Sequence, residues 1–78
     1  MRSKSNKLIV TFHTTTAAMA MEKYCHTNGV AGRLIPVPRE ITAGCGMAWC
    51  APPEAREAVT AAAENAHIAI DGIYELVI

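Results

Sequence analysis

The segment Ala43–Gly46 contains the chemically most distinctive residue of the chain, a cysteine between two glycines. Glycine has no side chain to shield the Cys45 sulfur, and it adopts positive φ values that turn backbone N–H groups toward an anion. A thiolate is such an anion, and Arg39 in the same loop adds a positive charge that would stabilise it. The pattern predicts a reactive thiol. The plainer interpretation, a small buried residue filling a tight turn, stays open on these residues alone.

The other two cysteines are predicted to be structural. Cys25 lies near the end of a predicted helix, and Cys50 lies in a predicted strand. On one extended strand, Cys45 and Cys50 would be about 16 Å apart at about 3.3 Å per residue. A disulfide needs Cα atoms within about 7 Å, so this pair is not expected to form one. An odd number of cysteines without a secretory signal also argues against a disulfide framework.

The histidines and cysteines do not have the spacing of a metal site. Structural zinc sites pair their ligands at short spacing, and the chain has neither Cys-x-x-Cys nor His-x-x-x-His. Cys25 and His26 are adjacent, and helical neighbours point in different directions. His13, which follows a predicted strand, is either a proton acceptor near Cys45 or an ordinary half-solvated strand-end residue. Neither a metal nor an organic cofactor is expected.

Length and charge limit the classes of function. The 78 residues form one small domain, too short for a barrel or a dinucleotide-binding fold. A hydrophobic fraction of 51% excludes intrinsic disorder. Seven basic residues balance seven acidic ones, so neither nucleic acid nor an anionic membrane surface is expected as a partner. With no apolar run of transmembrane length and no secretory signal, a cytoplasmic location is expected.

The elements that must position Cys45 follow the order strand, helix, strand, strand, helix, strand. The strands are predicted at residues 7–13, 33–37, 47–51 and 73–78. The first helix is predicted to begin at the threonines 14–16 and to end at about Asn28. The second is predicted to run from about Pro53 to about Ala66. Residues 1–6 are expected to be a solvated tail, and residues 7–78 a single domain.

Four local signals set these boundaries. The hydroxyls of Thr14–Thr16 are good helix N-caps, and Gly29 is a natural residue at which a helix ends. Pro36 lacks a backbone N–H, so its strand is predicted at an edge of the sheet. Asp71-Gly72 is predicted to form the turn before the last strand.

This order is the split βαββαβ pattern of an α+β, ferredoxin-like fold, with a four-stranded antiparallel sheet and two helices on one face. In such a fold, the end of the first strand, the start of the first helix and the loop between strands two and three meet at one sheet edge. Cys45 is therefore expected beside His13 and Thr14–Thr16, with Cys25 and Cys50 toward the opposite edge. The face without helices has little to cover it, which favours a homodimer or partner surface on that face or an edge.

Two longer motifs resemble a known family. They are the run from Thr11 to Glu22 and the block from Gly32 to Trp49, which contains Pro-Arg-Glu-Ile and Gly-Cys-Gly. Together they resemble a small bacterial family of selenium/sulfur carrier-like proteins. The resemblance implies a cysteine that accepts and donates sulfane sulfur or selenium. Cys45 matches that cysteine, and Arg39, Gly44 and Gly46 match the surrounding motif. Cys50 lies outside the motif and is either incidental or a resolving thiol between chains.

The leading hypothesis is a carrier rather than an enzyme. The Cys45 thiolate would take a sulfur or selenium atom from a donor protein, hold it as a persulfide or perselenide, and pass it to an acceptor protein. His13, Thr14 and Thr15 are candidate supporting residues at the same edge. One alternative is a docking or regulatory module that acts through the open sheet face and keeps Cys45 buried and inert. Another is a redox-sensing protein whose Cys45 forms an intermolecular disulfide.

Overall fold

A four-stranded sheet and two helices make up residues 5–41 and 45–77, the part of the chain that the computed structural model describes. The elements are β1 (Asn6–Phe12), α1 (Thr15–Asn28), β2 (Arg33–Pro36), β3 (Met47–Ala51), α2 (Arg56–Asn65) and β4 (Ile70–Val77), with a short 3₁₀ helix at Pro53–Ala55. All strand pairs are antiparallel, in the order β2-β3-β1-β4. The predicted ferredoxin-like α+β fold is confirmed, and β2 is an edge strand as its proline indicated. Residues 1–4 of the predicted tail lie outside the described residues, and Asn6 already belongs to β1.

The main core lies between the sheet and the helices. Leu8, Val10 and Phe12 alternate along β1 with side chains of the other face, because successive strand residues point to opposite sides. Their buried partners in this core are Ala18, Met21 and Cys25 of α1, Trp49 and Ala51 of β3, and Val59, Ala62 and Ala63 of α2. Both helices therefore cover the same face of the sheet. In β1, the side chains of Leu8, Val10 and Phe12 point toward the helices.

The opposite face, which we call the open face, carries a smaller cluster of buried side chains. Ile9 of β1 and Ala48 of β3 are fully buried there, together with Cys50 and Ile41. Ile41 comes from the loop between β2 and β3 and packs against this cluster. The prediction that this face has little to cover it is therefore wrong for the centre of the face, where these side chains are buried. The exposed hydrophobic side chain of this face lies on β4, where Tyr74 is 39% exposed.

Backbone geometry at the helix ends accounts for where the helices stop. Thr14 is the N-cap of α1, and its Oγ1 accepts a hydrogen bond from the Ala17 N–H at 3.1 Å. Gly29, with φ 69°, ends α1 in the left-handed conformation. After α2, His67 takes that conformation with φ 57°, and the Ile68 N–H donates to the Ala63 carbonyl at 2.8 Å. These are the features of a Schellman motif with histidine where glycine is usual.

The predicted turn at Asp71-Gly72 is wrong, because both residues lie inside β4. The reversal after α2 is made earlier, at the left-handed His67. Asp71 is held in the sheet by the Thr11 hydroxyl, which donates to its Oδ2 at 3.3 Å. The β1–β4 register shifts between Thr11 and Phe12, next to this hydrogen bond. Asp71-Gly72, a sequence that more often forms a turn, thus lies beside an irregularity in the pairing of β1 with β4.

Candidate functional site

Cys45 lies where the loop between β2 and β3 returns to the sheet. The Val37 N–H donates to the Gly46 carbonyl at 2.9 Å, and this bond closes the loop. Gly46 has φ 82°, a value that residues with a Cβ rarely adopt. The predicted supporting residue Gly44 lies outside the described residues. The glycine after Cys45 therefore allows the backbone conformation with which the loop enters β3.

The Cys45 side chain is held on one side and reachable on the other. It is half-buried and packs against the main core, so it lies on the side of the sheet that faces the helices. Its Sγ donates to the Met47 carbonyl oxygen at 3.5 Å. These two contacts fix the direction of the thiol while leaving part of its surface in contact with solvent.

The other two thiols are in different surroundings. Cys25 is fully buried in the main core, and burial raises the pKa of its thiol. Cys50 is only 8% exposed and points into the open-face cluster. All three cysteines are free. Cys45 is therefore the most exposed of the three cysteines, while Cys50 borders a cavity at the other end of the sheet.

The start of α1 lies at the same end of the sheet as Cys45. The antiparallel pairing of β1 with β3 ends at Thr11 opposite Ala48. The chain that leaves β1 for α1 and the loop that enters β3 both lie beyond that pair. The Thr14 side chain caps the Ala17 N–H, and the N–H groups of the two residues between them have no partner within the helix. A helix N-terminus carries a partial positive charge, so the end of the sheet that holds Cys45 also holds the positive end of α1.

His13 is engaged elsewhere. Its Nδ1 lies 3.4 Å from Oδ1 of Asp71, whose other oxygen accepts from Thr11. Asp71 thus links His13 to Thr11 of the open face, whereas Cys45 packs against the main core on the helix side. Among the described residues, no hydrogen bond joins His13 to Cys45. Asp71 was missed in the sequence because Asp-Gly indicated a turn, and only its position beside Thr11 in the sheet reveals the contact.

Arg39 lies at the tip of a turn. The Ile41 N–H donates to the Pro38 carbonyl at 3.0 Å, so Arg39 and Glu40 occupy the central turn positions, and both are exposed. The two ion pairs within residues 5–41 and 45–77 are His13–Asp71 and Arg56–Glu75, and neither includes Arg39. Arg39 is thus placed on the surface of the cysteine loop, where its charge faces solvent.

Two cavities, of about 690 and 440 Å³, lie at the other end of the sheet, and Cys45 lines neither. They border Pro52 in one case and the end of α1 in the other. In the described part of the chain, no group of three histidine, cysteine or acidic residues is arranged to hold a metal ion. Over the same residues, no helix combines the length and apolar character that crossing a bilayer requires. Cys45 is therefore a half-buried surface residue that lies outside both cavities.

The fold and this site define a small α+β protein whose most exposed thiol lies at one end of the sheet. The chain belongs to the family described as "Putative Se/S carrier protein-like", which matches residues 7–75. The match runs from β1 into β4 and includes Cys45, in agreement with the resemblance seen in the sequence. Searches of curated proteins and of solved structures gave no match.

Proposed function

We propose that the protein carries sulfur or selenium on the Sγ atom of Cys45, as a persulfide or perselenide, between a donor protein and an acceptor protein. The observation that carries this proposal is the contrast among three free thiols, of which Cys45 is half-buried while Cys25 and Cys50 are buried. Membership in the selenium/sulfur carrier-like family supports the same assignment. Cytoplasmic proteins are the partners that the sequence favours.

Loading is a thiol exchange with no net oxidation. The Cys45 thiolate attacks the outer sulfur of a donor persulfide, a new S–S bond forms, and the donor S–S bond breaks. The donor leaves as a thiolate, and Cys45 holds the outer atom as a persulfide. With a donor perselenide, the same attack on selenium forms an S–Se bond. The acceptor thiolate then attacks the outer atom, and Cys45 returns as a thiolate.

The start of α1 supplies stabilisation for the terminal anion. The first-turn N–H groups of Thr15 and Thr16 are free of intrahelical partners and lie at the end of the sheet where Cys45 lies. A helix N-terminus binds anions through such groups and through its dipole. In the carrier, these groups would hold the terminal sulfur or selenium as an anion while the partner protein dissociates.

The shallow position of Cys45 suits transfer between proteins. Each exchange requires the partner's reacting sulfur to come into contact with the atom it attacks or releases, so a deep cavity would exclude the partner. Packing of Cys45 against the main core limits the motion of the side chain. Its exposed part remains available for an in-line approach, which thiol–disulfide exchange requires.

Intact-mass spectrometry after exposure to a small-molecule persulfide tests the proposal. The wild-type protein should gain the mass of one sulfur atom and lose it on reduction. Cys45→Ser should gain none. Cys50→Ser makes the same chemical change at a buried site and should load like the wild type. A parallel reaction with a perselenide shows whether selenium is also accepted.

Three results would contradict the carrier. Normal loading of Cys45→Ser would place the atom on another residue. A wild-type protein that only forms intermolecular disulfides, with no added atom, would indicate a redox sensor. A wild-type protein that neither loads nor forms disulfides would favour a docking module.

A further inference from the structure

The larger of the two cavities is a cleft that opens where β3 leaves the sheet. β3 lies between β2 and β1, and its last paired residues are Cys50 toward β2 and Ala51 toward β1. Pro52 and Pro53 follow, and neither has an N–H with which to continue the pairing. β1 already begins at Asn6, so its first two residues have no β3 residue beside them. The departure of β3 leaves a cleft of about 690 Å³ between the first residues of β1 and β2.

Two basic side chains border this cleft, one from each flanking strand: Lys7 of β1 and Arg33 of β2. Strand alternation puts both on the open face, because Ile9 and Ile35, two residues further along their strands, pack in the open-face cluster. Cys50 of the same cluster lies directly opposite Arg33 and diagonally across from Lys7. Such neighbours have Cβ atoms about 5 Å and about 7–8 Å apart, respectively. Both long basic side chains can therefore reach one group bound above Cys50.

Within residues 5–41 and 45–77, no acidic side chain forms an ion pair with either cation. The ion pairs of this part of the chain involve His13 and Arg56 instead. The Lys7 Nζ donates to the Ser5 hydroxyl at 2.7 Å, a neutral group that leaves the charge uncompensated. Glu54 also borders the cleft, but it belongs to the 3₁₀ helix, which leads into α2 on the helix side. The open-face part of the cleft therefore carries the positive charge.

We propose that this cleft binds a small organic anion whose carboxylate or phosphate group lies between the Lys7 ammonium and the Arg33 guanidinium. Both cations donate charge-assisted hydrogen bonds to such groups, and the planar guanidinium can bind two oxygens of one acid group at once. The cleft volume of about 690 Å³ falls in the range of about 300–1,000 Å³ that is typical of small-molecule sites. It exceeds what an acid group alone would fill, so the ligand has further atoms, for which Pro52 and Pro53 supply an apolar wall.

Arg39 provides the matched comparison for Arg33. Both arginines are exposed, and neither belongs to an ion pair among the described residues. Arg39, however, lies at the tip of a turn and borders neither cavity. The proposal therefore attributes binding to the cleft and its pair of cations, because an exposed arginine alone is also present at Arg39. The site lies at the opposite end of β3 from Cys45, so the inference is independent of the carrier function.

Heteronuclear NMR of the isotope-labelled protein tests the site by titration with benzoate, phenyl phosphate and benzamide. Benzamide has the shape of benzoate without its charge. At least one of the two anions should shift the backbone amide signals of Lys7, Arg33 and Cys50 in a saturable way, and benzamide should not. The anion that saturates at the lower concentration shows whether the site prefers a carboxylate or a phosphate group.

Four glutamine variants separate the cleft from general attraction to positive charge. Arg33→Gln and Lys7→Gln, on different strands, should each weaken binding of that anion about tenfold or more. Arg39→Gln makes the same change outside the cleft and should bind like the wild type. Glu54→Gln removes the negative charge at the cleft and should strengthen binding about twofold. The amide spectrum of each variant shows that it is folded.

Four results would overturn the proposal. The first is the absence of saturable shifts with both anions at the highest soluble concentration. The second is binding of benzamide as tight as that of benzoate, which would show that charge is not recognised. The third is equal weakening by Arg33→Gln and Arg39→Gln, which would indicate a general attraction of anions. The fourth is a set of shifts at the start of α1 instead of the cleft, which would place the anion at the other end of the sheet.

Discussion

Cys45 and Cys25 are the same residue type on the same side of the sheet, and both pack against the main core. Cys25 faces inward from α1 and is fully buried, with its pKa raised by burial. Cys45 lies at a loop-to-strand junction, followed by a glycine with positive φ, and is half-buried. The difference shows that the element carrying a thiol decides how far the residue is exposed to solvent. A helix interior position hides the sulfur, and a turn at the sheet edge presents it.

Alkylation should give the largest difference between the two thiols. Cys25 can react only when the core opens, and opening a core element costs several kcal/mol. We expect Cys45 to react with iodoacetamide at neutral pH about a thousandfold faster than Cys25, with Cys50 also slow. Peptide mass analysis over a time course measures the three rates. Similar slow rates for all three would show that Cys45 is not presented as described.

Serine substitution should separate the two positions by stability. Cys25→Ser buries a hydroxyl in an apolar core and should lower the free energy of unfolding by about 1–3 kcal/mol. Cys45→Ser keeps a donor near the Met47 carbonyl at a half-exposed site and should change it by less than about 0.5 kcal/mol. Urea denaturation measures both values. An equal loss in the two variants would remove the structural distinction.

Gly29, at the C-terminal end of α1, offers a matched control for Gly46, which follows Cys45. Gly46 and Gly29 both have positive φ, and an added Cβ would meet no atom within 4 Å at either. Alanine at each should cost about 1 kcal/mol through backbone strain alone. Gly46→Ala should also change the Cys45 alkylation rate, whereas Gly29→Ala should not. An unchanged rate in Gly46→Ala would show that the glycine does not set the position of the thiol.

Alkaline pH should reveal the burial of Cys25 as a smaller effect. Its pKa is raised above the ordinary value of 9.0 in the folded protein, so the folded state keeps the proton to a higher pH than the unfolded state. This contribution to the free energy of unfolding is constant below pH 9.0 and declines as the pH rises above it. The wild type should therefore lose stability relative to Cys25→Ala over that range. Parallel pH profiles for the two proteins would contradict the assignment.

Much of the fold was predictable because its signals act locally. Thr14 caps α1 through its own hydroxyl, Gly29 ends it in the left-handed conformation, and Pro36 marks an edge strand. Each depends on the chemistry of one residue and its chain neighbours. The order of elements and the edge position of β2 therefore follow from the sequence.

What could not be predicted depends on pairing between distant segments. Asp71 indicated a turn until its contact with Thr11 placed it in β4. His13 was a candidate partner of Cys45, and only its contact with Asp71 shows that its side chain is engaged elsewhere. Ile41 belongs to a loop in the sequence, yet it packs on the open face. The accessible side of Cys45 likewise depends on the β1–β3 register, which no local pattern contains.

Site-resolved mass spectrometry of the loaded wild-type protein shows which of the three thiols carries the transferred atom. After exposure to a small-molecule persulfide, the persulfide is trapped by alkylation and located by peptide sequencing. The added sulfur should be found in the peptide that contains Cys45, with Cys25 and Cys50 unmodified. Added sulfur on Cys50 or Cys25, with Cys45 unmodified, would show that Cys45 is not the carrier thiol.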